Sequence, residues 1–146
     1  MRTGKSFAVS MITICQLMAL ALWFSATAVL PQLRSEFGIG ALQSSLFTSA
    51  VLLGFVLGTV ISAILGLADR MDPRRFWAAS AIIAATANLM ILVVPIDGVV
   101  VIVLRLITGV CMAGIYPIGM KMVATWSRGD TGFLVGLLVG ALTMGS

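Results

Sequence analysis

The sequence predicts an all-α protein that crosses a membrane several times. Hydrophobic residues make up 60% of the 146 positions, charged residues only 10%, and there is no His. The mean hydropathy is +1.15, far from the soluble range of about 45–50% apolar and about 25% charged residues. A soluble fold hiding this much apolar surface would need a larger interior than this chain can enclose. The charges also cluster, leaving uncharged runs of 28 residues (Ser6 to Leu33), 32 (Phe37 to Ala68) and 21 (Phe76 to Ile96). Each exceeds the roughly 18 residues that license a membrane-crossing helix. The sequence pI of 9.8 does not point to nucleic acid, because the basic residues sit at the ends of apolar runs rather than in a stripe interleaved with aromatics.

The first span is expected over residues 7–30, closed by Pro31 and the polar stretch Gln32 to Glu36. Its Ala26-Thr27-Ala28 resembles a signal cleavage site, but the apolar region is too long for a secretory signal and further apolar segments follow. The second span covers 42–68, long enough to tilt or project from the bilayer. Asp69 to Arg75 forms a charged turn, and the third span covers 76–94. Pro95-Ile96-Asp97-Gly98 reads as a tight turn. The fourth span covers 99–124, with Arg105 in its first third and Pro117, flanked by Gly114 and Gly119, in its second half. Proline removes a helical hydrogen bond, so a bent or deformable helix is expected there.

A fifth apolar segment, 131–146, is incomplete as a span. Its sixteen residues cover about 24 Å and leave unsatisfied carbonyls within the bilayer, so the chain reads as the amino-terminal fragment of a longer protein. Orientation follows from the positive-inside rule. A cytoplasmic amino terminus places Arg2, Lys5, Arg70, Arg74, Arg75, Lys121 and Arg128 inside and Arg34 alone outside. The expected location is therefore the cytoplasmic inner membrane, multi-pass, with the lipid bilayer as the first partner.

Arg105 is then the one basic residue within the bilayer, where a charge normally faces a bundle interior or an aqueous cavity. It either snorkels to the outer headgroups or holds an anionic group. The first span carries Thr13, Gln16, Trp23 and Thr27 near one face. These suit a polar-solute site, or equally helix packing with hydroxyls bonded to their own backbone. Asn88 reads as interhelical glue. Small residues four apart, Gly54, Gly58, Ser62 and Gly66 in the second span and Gly132, Gly136 and Gly140 in the fifth, are read first as close-packing faces and second as sliding surfaces. Cys15 and Cys111 lie far apart and offer neither disulfide nor zinc-ligand spacing. No metal or other cofactor is expected.

The turn Gly66-Leu67-Ala68-Asp69-Arg70-Met71-Asp72-Pro73-Arg74-Arg75 resembles the signature loop after the second helix of the major facilitator superfamily, broadly G-x-L-A-D-R-x-G-R-R. It departs by a displaced leading glycine, Asp72 in place of the loop glycine, and the extra Pro73. Arg105-Leu106-Ile107-Thr108-Gly109 is similar to the fourth-helix motif R-x-x-[QT]-G, and Pro31-Gln32-Leu33 to the P-x-[IL] ending of the first helix. The resemblance covers the whole chain and implies a partial superfamily fold, four complete transmembrane helices and a truncated fifth of a six-helix half. It also implies a site between two halves near the midplane. By that resemblance Gln16, Trp23, Thr27, Arg105 and Tyr116 are cavity candidates, and Asp69, Arg70, Arg74 and Arg75 form the cytoplasmic network that latches the outward-facing state.

The expected function is secondary active transport of a small solute by alternating access, with an organic anion mildly favoured by Arg105 and proton coupling left open. The remaining part of the site would come from a missing carboxyl-terminal part of the same chain. Drug/proton antiport is the less favoured reading, because the fifth segment lacks the G-x-x-x-G-P-x-x-G-G pattern and the first span lacks an acid. A self-contained small membrane protein, as homo-oligomeric exporter or helical subunit, is the rival outside the superfamily. A membrane enzyme is disfavoured, since there is no His, no paired intramembrane carboxylates and no cysteine beside a basic residue.

Overall fold

The computed structural model describes residues 2–96 and 98–125 together with 132, 136, 139 and 140; the side chains of residues 2–6, 26 and 27 are not described. The elements in order are α1 (Arg2–Ala28), α2 (Leu30–Phe37), α3 (Ala41–Leu65), α4 (Leu67–Arg70), α5 (Pro73–Ile91) and α6 (Val99–Ala124), with no strand among the described residues. Among the described residues three stretches are long and apolar enough to cross a membrane: Phe7–Phe37, Ala41–Leu65 and Val99–Ala124. α5 has 19 residues, about 28 Å of helix. It is less apolar because Arg74 and Arg75 open it and Ser80 and Asn88 interrupt it, the last two addressing neighbouring helices.

Local chemistry explains where the helices stop and start. Pro31 does not close the first span as expected. The chain turns at Val29 and restarts as α2 with Pro31 in its first turn, where the missing N–H has no helical partner to lose. Leu33 N donates to Val29 O at 3.0 Å across the break, and α2 ends at Gly38 with φ 63°. α3 ends three residues short of the expected boundary. Gly66 adopts φ 60°, and its N–H donates back to Ala63 O and Ser62 O, a left-handed cap that a Cβ disfavours. Gly66 is therefore corrected from a packing residue to a helix terminator, since a Cβ there would find only Arg70 Nε, at 3.8 Å.

The Asp72-Pro73 departure from the superfamily loop is a helix start. Asp72 Oδ1 accepts from Arg74 N at 2.9 Å and Arg75 N at 3.2 Å, and Pro73 occupies the first turn of α5, a side-chain cap followed by proline. α5 consequently begins at Pro73 rather than at residue 76.

α6 is the axis of the bundle, with α3, α5 and α1 packed around it. Its buried residues run along nearly its whole length, from Val101 to Val123, and it passes through Pro117 without a break. Cβ atoms on Gly54 or Gly58 of α3 would strike the α6 backbone at Leu106 and Val110, and one on Gly109 of α6 would strike Val51 of α3. The two backbones therefore touch, the contact that small residues permit between membrane helices. On the α5 side Gly114 lies under Ser80, and on the α1 side Gly119 lies under Gln16. Close packing is the expectation for Gly136 and Gly140, but among the described residues a Cβ on either would meet nothing within 4 Å; most of their span lies outside the described residues.

Candidate functional site: a buried arginine and a charged turn

Arg105 does not snorkel. It is 0% exposed, and its guanidinium points across the bundle to the last turns of α1. Nη2 donates to Trp23 O at 2.9 Å, and Nη1 reaches Leu22 O at 3.5 Å. Its guanidinium carbon lies 5.9 Å from the centroid of the Phe47 ring on α3, within range of a cation–π attraction. Nε is buried and has no partner among the described residues. Among the described residues no acidic side chain meets it, and backbone oxygens answer the charge.

One helical turn along α6, Thr108 accepts a bond from Asn88 Nδ2 at 3.2 Å and donates to Leu104 O at 2.9 Å. Asn88 in turn accepts from Ser25 Oγ of α1 at 3.2 Å. This chain joins α1, α5 and α6 and borders a crevice lined by Leu22, Ser25, Phe47 and Asn88.

Of the other cavity candidates with described side chains, only Trp23 adjoins Arg105, through its backbone oxygen. Gln16 is fully buried, and both ends of its amide are used: Oε1 accepts from Trp77 Nε1 at 3.1 Å, and Nε2 faces Ile115 O at 3.5 Å. It is corrected from a cavity-lining residue to a polar peg between α1, α5 and α6, because Gly119 leaves room for it and Trp77 supplies its donor. Trp23 is half-buried, and its ring stands 5.1 Å from that of Phe55. Tyr116 is half-buried on the far part of α6. The Thr27 side chain lies outside the described residues. Thr13 donates to Val9 O of its own helix at 2.9 Å, the plainer of its two readings.

The second cluster sits at the other end of α6. Asp69, expected in a charged turn, lies on the single helical turn of α4. Its Oδ1 accepts from Lys121 Nζ at 2.7 Å, and the same ammonium donates to Ala68 O at 2.7 Å. The hydrogen bond from Lys121, then its charge, holds the Asp69 carboxyl below its usual range. Among the described residues no arginine of the turn pairs with Asp69. The backbone N–H groups of Arg74 and Arg75 bind Asp72, and Arg74 lines a groove with Phe7, Met11, Cys15 and Trp77. Sequence reasoning missed Lys121 and Trp77. The available signal for Lys121 was the positive-inside count, which sets it at the same end of the molecule as Asp69.

A helical bundle built on one glycine-backed axis, with a charged turn at one end and a buried arginine toward the other, defines a multi-pass membrane protein. The chain belongs to the major facilitator superfamily: the model of the family described as Major Facilitator Superfamily matches residues 12–146. No curated protein and no solved structure matches the chain. With the helical bundle, the match defines a partial superfamily fold, and the members of this family are transporters.

Proposed function

We propose that the chain is the leading part of a secondary active transporter that moves a small solute by alternating access, with an organic anion the favoured class. The observation that carries the anion preference is Arg105, a fully buried guanidinium with its Nε unpartnered among the described residues. A planar cation of this kind binds carboxylates in a fork when its donors are released. Trp23, Thr27 and Tyr116 are proposed to line the same passage, and Gln16 to support it from behind. The remainder of the passage comes from further spans of the complete carrier, as the superfamily architecture of paired halves requires. The membrane is proposed to be the cytoplasmic one with the amino terminus inside, and proton coupling is an open branch of the proposal. No catalytic group is assigned.

The test is solute uptake into proteoliposomes holding the complete transporter, with labelled organic anions, cations and neutral solutes compared with and without an imposed pH gradient. Saturable uptake of an anion is expected. Saturable uptake confined to cations or neutral solutes would overturn the preference, and stimulation by the gradient would establish the coupling ion.

A further inference from the structure

We propose that Lys121 is the positioning residue of the Asp69 turn, tying α4 to the last turn of α6 and so setting where that carboxylate stands during transport. The proposal rests on the reading of this turn as the latch of the outward-facing state. It reassigns the partner: the turn's own arginines were the expected ones, whereas the contact runs to the far end of the central helix.

The geometry favours a positioning role. α4 is four residues long, bounded by the left-handed Gly66 before it and the extended Met71 after it, so its own hydrogen bonds hold it weakly. Lys121 Nζ makes two bonds to it, one to the side chain of Asp69 and one to the backbone at Ala68. Two acceptors on consecutive residues fix the orientation of the turn as well as its distance. Lys121 is itself well placed, because a cation in the last turn of a helix is favoured by the helix dipole. Its helix is registered against α3 by the backbone contacts at Gly54, Gly58 and Gly109. The ammonium therefore transmits the position of α6 to Asp69 across a break that α3 cannot bridge. An exposed ion pair contributes little to folding, and Asp69 is 83% exposed with Lys121 at 45%, which leaves orientation rather than stability as the consequence of the contact.

The experiment uses the complete transporter in proteoliposomes and compares Lys121→Gln, Lys121→Arg, Asp69→Asn and the Asp69→Asn/Lys121→Gln double variant, with uptake normalised to protein in the membrane. Lys121→Gln is expected to lower the maximal rate roughly fivefold, the order of a single exposed charged contact, with KM held within about twofold. Lys121→Arg keeps two donors and the charge, and is expected to stay within about twofold of wild type. The double variant is expected to be no slower than the slower single one, since both remove the same contact. Wild-type rates in Lys121→Gln with Asp69→Asn impaired would overturn the positioning role and leave the latch standing. An Arg variant as slow as the Gln variant, or fully multiplicative losses in the double variant, would also overturn it. Wild-type rates in Asp69→Asn would overturn the latch and the positioning role together.

Discussion

Arg105 directs its guanidinium onto the backbone of α1, and this fixes what a conservative replacement must lose. A lysine keeps the charge but cannot reproduce two donors in one plane aimed at Leu22 O and Trp23 O. A hydrogen bond to a charged group contributes about 1.5–3 kcal/mol, which is roughly tenfold or more on an equilibrium constant. Arg105→Lys is therefore expected to lose most uptake while reaching the membrane in normal amounts, and full activity would remove the fork from the mechanism. Asp69 gives a second expectation at this scale. Its folded-state pKa is depressed, so the contact with Lys121 is present above the ordinary carboxylate value of about 3.9 and is lost only as pH falls through the lowered value. Uptake profiles of wild type and Asp69→Asn between about pH 5 and 8 should run parallel, because the carboxylate stays ionised throughout; a step confined to wild type would show that Asp69 titrates there. The importance of Arg105 was legible from its being the one charge inside a long apolar run. Its partners were not, because backbone carbonyls carry no signature in a sequence.

Between elements, the α3–α6 contact is the tightest in the bundle, and its glycines differ in what they do. Gly54 and Gly109 face backbone with no room for a methyl group, whereas Gly40, at the start of α3, has open space around its Cβ position. Overpacking of this kind costs about 1–3 kcal/mol. Gly54→Ala and Gly109→Ala should each lower resistance to thermal unfolding in detergent by more than Gly40→Ala, which loses only the N-cap preference of α3; equal losses in all three would refute the backbone contact. Gly66→Ala should also destabilise, by about 1–2 kcal/mol of left-handed strain, with its effect on the turn rather than on helix packing. The four-residue spacing made Gly54 and Gly58 readable as a packing face. Gly66 continued the same spacing onto the residue just past the end of the helix, and spacing alone cannot register a change in the sign of φ. Pro31 and Asp72-Pro73 misled in the same way: proline stops a helix when it falls inside one and starts a helix when a turn or a cap precedes it.

The order of elements along the whole molecule fixes a topology that can be tested directly. α1 with α2, α3, α5 and α6 alternate in direction if each crosses the bilayer. Lys121 and Asp69 then share one face of the membrane, as their 2.7 Å contact requires, and Arg34 lies on the other. In the proposed orientation the first face is the cytoplasmic one, since it collects Arg70, Arg74, Arg75 and Lys121 against Arg34 opposite. Single cysteines at Ser35 and Met71, in a background carrying Cys15→Ala and Cys111→Ala, report on the two faces. Both positions are exposed, and Ser35 is preferable to Gly38, whose φ of 63° would strain any side chain placed there. In intact cells an impermeant maleimide is expected to label Ser35→Cys and to leave Met71→Cys unlabelled until the membrane is permeabilised. Labelling of Met71→Cys alone from outside would invert the protein. Labelling of both would show that an odd number of crossings does not separate them, and with it that α3 does not span the bilayer.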